Sequence, residues 1–282
     1  MMMKIKAYAK LNLYLEVMGK RQDGYHDLRM IMTSIDLHDA ISITENTHGA
    51  ICITSDSKDV PTNSDNIVYK IVDHLKSVHH VSSGVDVHIE KRIPIGGGMA
   101  GGSSDAAAVL RALNDFWKLG LSDSGLIATA LKFGSDIPYC LFHKPSLATS
   151  RGEILEFIPV CYEGFVLIVN PKIHVSTKEA FSNYVAPKTR TPFVLEHFHQ
   201  PRIFDYAASF HNDLEPSVID NHPEIKHIID YLKHQGIAHP RMSGSGATVF
   251  VVFDCEEDAQ RAATGCLRRF PDHLVGIHRF IG

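Results

Sequence analysis

An α+β protein of two domains is the fold this sequence predicts, and three observations predict it. Stretches of period-two alternation, such as "KIKAYAKLNLYLEV" and "GVDVHIEKRIPI", are interleaved with segments of helical spacing along the whole chain. Continuous apolar runs, "FVLIV" (165–169) and "VFVVF" (249–253), read as buried strands and are too short to span a membrane. The length, 282 residues, suits two domains of ordinary size, each with its own core. The division is expected near 155, giving an N-terminal domain over 1–155 and a C-terminal domain over 156–282.

Each element has a local reason. Leu11, Leu13 and Leu15 share one face of the first strand. "GKRQDGYHDL" is a glycine-containing connection, "MIMTSIDLHDAISITE" resumes a strand pattern, and "ICITS" is a partner strand. In "SDNIVYKIVDHLKSV" (64–78) Ile67, Ile71, Leu75 and Val78 recur at helical spacing, with Ser64 or Asp65 placed to cap the start. Val85, Val87 and Ile89 then alternate with Asp86, His88 and Glu90 in a strand. A glycine loop follows, and beyond it Val109, Leu110, Leu113 and Trp117 mark a helix. A short helix near 123–132, with Gly134 as its C-cap, precedes "SDIPYCLF". In the second half "FVLIVNP" is a strand and "KEAFSNY" a helix start. "HPEIKHIIDYLKHQG" is an amphipathic helix closed by Gly236, "CEEDAQRAATGCLRRF" a helix, and "HLVGIHRFIG" an edge strand. "VAPKTRTPF" (185–193) reads as a mobile loop, and no internal repeat is present.

Composition narrows the class. Apolar residues make up 44% and charged residues 21%, with a net charge of −4, the balance of a soluble globular protein rather than of one that holds nucleic-acid backbone. Five cysteines lie scattered without a C-x-x-C pair, as expected for reduced thiols in the cytoplasm. The N-terminus places lysines where a secretory peptide needs an unbroken apolar stretch. The 18 histidines are dispersed, and His79-His80 has no partner at ligand spacing, so no metal ligand is expected among them.

The chemistry concentrates in "PIGGGMAGGSSDAA", where five of the seven residues 96–102 are glycine. A glycine loop between a strand and a helix exposes backbone N–H groups that can converge on an anion, and Ser103 and Ser104 add hydroxyls at the positive end of the helix dipole. The loop lacks the lysine of a P-loop and fits the dinucleotide fingerprint poorly. A tight, close-packed turn alone would not need so many glycines. A second cluster, "RMSGSGATVF" (241–250), precedes a strand and is placed to close over the same ligand. Phosphoryl transfer needs positioning, charge neutralisation and a group to take the acceptor's proton. Lys10, in an otherwise apolar strand, and Asp136, after a helix end, suit that need, although each taken singly also fits a structural role.

"PIGGGMAGGSSDAA" and "RMSGSGATVFVVF" resemble the second and third motifs of the GHMP kinases. "AYAKLNLYLEVMGKRQDGYHDL", "EKRIPIGGG", "FGSDIPYCLF" and "FHNDLE" (210–215) narrow the resemblance to the branch acting on a cytidine-diphosphate-linked sugar alcohol in isoprenoid synthesis. The resemblance implies a two-domain GHMP kinase fold, an N-terminal ribosomal-protein-like β-α domain followed by a ferredoxin-like one, with ATP and Mg²⁺ as cofactors. It carries the catalytic pair onto Lys10 and Asp136, with Asp136 accepting the proton of the substrate's 2-hydroxyl. ATP contacts fall on Asn66, Lys91, Pro94, Gly96, Gly97, Gly98, Met99, Ala100, Gly101, Gly102, Ser103 and Ser104. Substrate contacts fall on Asn12, Tyr25, His26, Asp136, Thr177, Phe181 and Gly244, with the cytosine between Tyr25 and Phe181 and His26 beside it.

The chain departs from the pattern at Met99, Ala100 and Asp105. Ala100 carries a Cβ and must avoid a positive φ or accept strain, and a carboxylate at Asp105 would repel a nearby triphosphate unless magnesium intervened. A small-molecule kinase working as a monomer or weak dimer is expected. The rivals are another GHMP kinase, acting on homoserine or a mevalonate, and an RNA-binding module, which the acidic charge disfavours.

Overall fold

A computed structural model describes residues 2–187 and 189–282; Met1, and Lys188 within the loop expected to be mobile, lie outside it. Two long strands open the chain, β1 (Met2–Lys20) and β2 (His26–Asn46), followed by the short β3 (Ile51–Ser55). Helix α1 (Ile67–His79) comes next and then β4 (Gly84–Glu90). The cap of α1 is Asn66, whose Oδ1 accepts from the Val68 N–H at 2.8 Å, and not the expected Ser64 or Asp65. All three residue types cap well, so composition alone does not select among adjacent candidates.

Helix α2 (Gly101–Phe116) follows the glycine loop, then α3 (Asp123–Ala130) and the single turn α4 (Ile137–Cys140). Gly134 is not the cap of α3. That helix ends at Leu131 in right-handed conformation, and hydrogen-bonded turns carry the chain on to Gly134. The second half holds β5 (Ser146–Ser150), β6 (Ile154–Phe157), β7 (Phe165–Asn170), α5 (Thr177–Ser182), β8 (His211–Asn212), α6 (Glu215–Asn221) and α7 (Pro223–His234). It closes with β9 (Arg241–Met242), β10 (Val249–Phe253), α8 (Glu256–Arg269) and β11 (Leu274–Ile281). Gly236, at φ +77°, ends α7 as expected.

The chain forms two compact units that interleave in sequence. Among the described residues, unit 1 comprises 2–9, 37–95 and 100–142. In it β4 pairs antiparallel with the second half of β2, Ile43 opposite Val87, and parallel with β3, Ile53 opposite Val87. Helices α1 and α2 pack against each other, burying Val68, Ile71, Val72 and Leu75 with Val109, Leu110 and Leu113. Each such side chain stabilises the fold by about 1.5–3 kcal/mol.

Unit 2 comprises 10–36, 96–99, 143–187 and 189–282. Its centre is β7, flanked antiparallel by β10 and β11. β10 is buried at all five positions and β7 at all but Phe165, as the apolar runs in their sequences require. β11 is not an edge strand: it pairs with β7 along Leu274–Arg279 and with β2 at Phe280 and Ile281. Local alternation identifies the strand but leaves its neighbours in the sheet open. The 185–193 loop is tethered at its far end. Arg190 pairs with Asp213 at 3.0 Å and Glu16 at 3.3 Å, and the Thr191 carbonyl accepts from the Tyr14 hydroxyl at 3.0 Å.

Candidate active site

The glycine loop begins in unit 2. Gly96 and Gly98 adopt left-handed conformations, φ +65° and +75°, which glycine enters without strain. Space demands glycine as well: a Cβ would lie 2.1 Å from His174 Nδ1 at Gly96 and 2.1 Å from the Ser243 carbonyl oxygen at Gly98. Ala100 is left-handed too, at φ +56°, so of the two outcomes open to it the chain takes the strain, about 1–2 kcal/mol. Gly97 and Met99 lie outside the left-handed region. Alternation of this kind turns successive N–H groups toward one side and makes an anion-binding concavity.

The second glycine cluster closes on the first within unit 2. The Thr248 N–H donates to the Gly97 carbonyl at 3.2 Å and the Ser243 hydroxyl to the Gly98 carbonyl at 3.1 Å. Lys10, only 5% exposed, donates its Nζ to the Gly98 carbonyl at 2.9 Å and to Asn12 Oδ1. Gly244, at φ +56°, completes the cluster: a Cβ there would lie 2.8 Å from the Gly98 carbonyl oxygen and 3.0 Å from Lys10 Nζ. Lys10, Asn12, Gly98 and Gly244, assigned from separate motifs, thus form one close-packed group. Thr177 lies at the start of α5, its hydroxyl 3.1 Å from that of Ser245.

A ring cluster lies in the same unit. His26 stacks on Phe181, centroids 5.2 Å apart and planes inclined by 19°, and Tyr184 meets His26 edge-on. Burial, with Lys20 nearby, lowers the His26 pKa, so at neutral pH one ring nitrogen donates and the other accepts. Tyr25, 56% exposed, lies under the Arg151 guanidinium at 4.8 Å. The structure therefore brings His26, rather than Tyr25, against Phe181.

Unit 1 holds the remaining positions. Asn66 spends its amide on capping α1 and on the Pro61 carbonyl. Lys91 is buried between two carboxylates, pairing with Asp105 at 2.7 Å and with Asp39. Asp39 Oδ1 also accepts the N–H groups of Arg92 at 2.6 Å and Ile93 at 2.8 Å, fixing the chain just ahead of Pro94. Burial pushes the Asp105 pKa up to about 7 against the opposing pull of Lys91, and its Oδ1 has no hydrogen-bond partner among the described residues. Two buried carboxylates share one ammonium, so a proton on Asp105 removes the surplus charge.

The Ser104 hydroxyl donates to the Tyr8 carbonyl at 2.6 Å and its N–H to the Ala100 carbonyl at 2.8 Å. This corrects the expectation that both serines present hydroxyls to an anion: Ser104 binds the helix start to β1, and only Ser103 stays half-buried at the loop. Gly101 and Gly102 form the first turn of α2. Asp136 occupies the N-cap position of α4 without a side-chain capping bond.

Three supporting residues had escaped assignment from sequence. His174 packs against Gly96 and carries no sequence signal. Asp39 was visible only as a charge in a strand pattern. Asn212, in the quoted "FHNDLE", donates to the Met242 and Gly244 carbonyls at 2.7 and 2.8 Å and holds the second glycine cluster.

Comparison with known proteins gives the class. The N-terminal domain of the GHMP kinases matches residues 66–144 and their C-terminal domain matches residues 197–272. The chain belongs to the GHMP kinase family. Within that family it is similar to the 4-diphosphocytidyl-2-C-methyl-D-erythritol kinase of Lachnoclostridium phytofermentans, 41% identical over 263 residues, covering 92% of this chain and 90% of that protein. The enzyme of that name from Clostridioides difficile is 39% identical over 277 residues, covering 96% of this chain and 94% of that one. A crystal structure of a 4-(cytidine 5′-diphospho)-2C-methyl-D-erythritol kinase matches with a TM-score of 0.84 at 27% identity, covering 98% of this chain and 99% of that one. Homoserine kinase from Cytophaga hutchinsonii, at TM-score 0.68 and 16% identity over 99% of this chain and 97% of its own, shares the fold.

Proposed function

We propose that this chain uses ATP to phosphorylate the 2-hydroxyl of 4-diphosphocytidyl-2-C-methyl-D-erythritol, giving the 2-phosphate and ADP in the non-mevalonate route to isoprenoids. The observation that carries the reading is similarity at about 40% identity along nearly the whole chain to kinases of that name. The stacked His26–Phe181 pair supports it, since flat rings that include a neutral imidazole suit a pyrimidine.

The bare amides of Gly96, Gly97, Gly98, Met99, Ala100, Gly101, Gly102 and Ser103 seat the phosphates, with Asn66, Lys91 and Pro94 shaping the base and ribose side. The left-handed turns at Gly96 and Gly98, where neighbouring atoms admit no Cβ, support this reading by setting the path of the loop backbone. Mg²⁺, arriving with ATP, would supply neutralisation of the phosphate charge. Asp136 accepts the proton of the 2-hydroxyl as that oxygen bonds to the γ-phosphorus and the bond to ADP breaks. Lys10 steadies the charge on the moving phosphoryl group. Asn12, Thr177 and Gly244 position the sugar alcohol, and Tyr25, His26 and Phe181 hold the cytosine. The two family domains meet in sequence at 155/156. The enzyme works on small molecules in the cytoplasm, without nucleic acid, as a monomer or weak dimer; no helix among the described residues is long and apolar enough to cross a membrane.

A second reading, a kinase acting on homoserine or a mevalonate, draws on the shared fold alone, which reaches a TM-score of 0.71 at 14% identity for an L. major mevalonate kinase. Incubation with Mg·ATP and each alcohol in turn separates the two. Rapid ADP release with the cytidyl compound alone is expected, and turnover of homoserine or mevalonate in its place would displace the proposal.

A further inference from the structure

Away from the glycine loop, one face of the sheet in unit 1 gathers three metal-ligating side chains. β3 and β4 run parallel with Cys52 opposite Asp86, both exposed, while Ile53 and Val87 point into the core. His48 reaches the same place from the turn between β2 and β3. An imidazole nitrogen, the thiol sulfur and a carboxylate oxygen all lie within 4.8 Å of one another. Phosphoryl transfer uses none of the three.

The carboxylate is held from behind. Asn46 Nδ2 donates to Asp86 Oδ1 at 2.8 Å and to the Ala50 carbonyl at 3.1 Å, so a single amide fixes both Asp86 and the turn that carries His48. Gly84, opposite Asn46 in the β2–β4 register, makes this close approach possible: a Cβ there would lie 2.1 Å from Asn46 Oδ1 and 2.2 Å from the Ala50 carbonyl oxygen. A hydrogen bond that orients a ligating carboxylate is the usual support of a metal site.

We propose that His48, Cys52 and Asp86 bind a divalent transition-metal ion of the Zn²⁺ class, with the fourth position of a tetrahedron taken by water. Thiolate and imidazole select such an ion over Mg²⁺ or Ca²⁺. Thiolate and carboxylate together balance its two charges, and binding releases the thiol proton to solvent. Metal–ligand bonds of about 2.0–2.3 Å place ligand atoms roughly 3.3–3.8 Å apart, so a contraction of about 1 Å suffices, within reach of the exposed His48 side chain. The bound ion would tie the β2–β3 turn to β4. The spacing of 48, 52 and 86 matches no ligand motif, which is why composition pointed to no metal.

Co²⁺ reports the site directly and independently of kinase activity. Titrated into the full-length protein with its thiols reduced, Co²⁺ should bind at one equivalent with a thiolate-to-cobalt charge-transfer band, bleached by Zn²⁺ and untouched by excess Mg²⁺. Cys52→Ser should abolish the band, while His48→Ala and Asn46→Ala should each weaken Co²⁺ binding by about tenfold or more. Circular dichroism of the metal-free variants checks that they fold, and Cys52→Ser should keep wild-type phosphoryl transfer. The proposal fails if the wild type shows no band. It fails equally if the band survives Cys52→Ser, placing the ion on another thiol such as the exposed Cys161, or if His48→Ala leaves the affinity unchanged.

Discussion

Asp105 and Asp39 face one ammonium, that of Lys91, in the interior of unit 1. Burial raises the Asp105 pKa to about 7, well above its unfolded value of about 3.9. A carboxyl raised in the folded state contributes stability that is present at low pH and lost as pH rises through the folded value. Asp105→Asn removes that titration, so the wild type should lose stability relative to the variant between about pH 5 and pH 8. Urea midpoints of both proteins at the two pH values check this, and a difference that does not change with pH would refute it. The carboxylate feared as a repellent to triphosphate is instead held by Lys91 and brought toward neutrality by its burial. Asp136 carries the other prediction at this scale. If it takes the hydroxyl proton, Asp136→Asn should lower kcat by at least about 10²-fold with ATP affinity near that of the wild type; a kcat close to wild type would assign the base elsewhere.

Among the elements, the strand–glycine loop–helix segment was the most legible in sequence, because chain geometry leaves few residues able to build it. Gly96 and Gly98 have positive φ and neighbours that admit no Cβ, and both constraints write glycine into the sequence. Gly102 differs: a Cβ there would meet nothing within 4 Å and its φ is not left-handed, so neither packing nor backbone asks for glycine. A close-approaching phosphate would. Gly102→Ala, in the first turn of α2, should therefore leave stability unchanged or raise it by about 0.5–1 kcal/mol while weakening ATP binding by about tenfold or more. Calorimetric titration alongside a urea curve tests both halves, and unaltered ATP affinity would remove the phosphates from this turn. What stayed illegible was set by partners distant in sequence. The buried setting of Lys91 depends on Asp39, 52 residues away, and the commitment of Ser104 depends on the Tyr8 carbonyl, 96 residues away. Local pattern also missed that β11 lies between β7 and β2, since period-two alternation fixes a strand's faces and leaves its neighbours open.

Across the whole molecule, ordered motifs mark the fold in the sequence, while the contacts that support them join residues far apart along the chain. The two units interleave along the chain, and Lys10, Asn12, Gly98 and Gly244 meet in unit 2 from segments far apart in sequence. In the proposed mechanism, backbone amides of residues 96–103 grip the nucleotide while the ring cluster of unit 2 holds the second substrate. Amide hydrogen exchange across the full chain, first with Mg²⁺ and a non-hydrolysable ATP analogue and then with the cytidyl substrate added, addresses it in one measurement. Exchange should slow over 96–103 with the nucleotide, and slow further around Tyr25, His26 and Phe181 only when the cytidyl compound is added. Saturating nucleotide that leaves 96–103 exchanging as in the free protein, with protection appearing elsewhere, would contradict it.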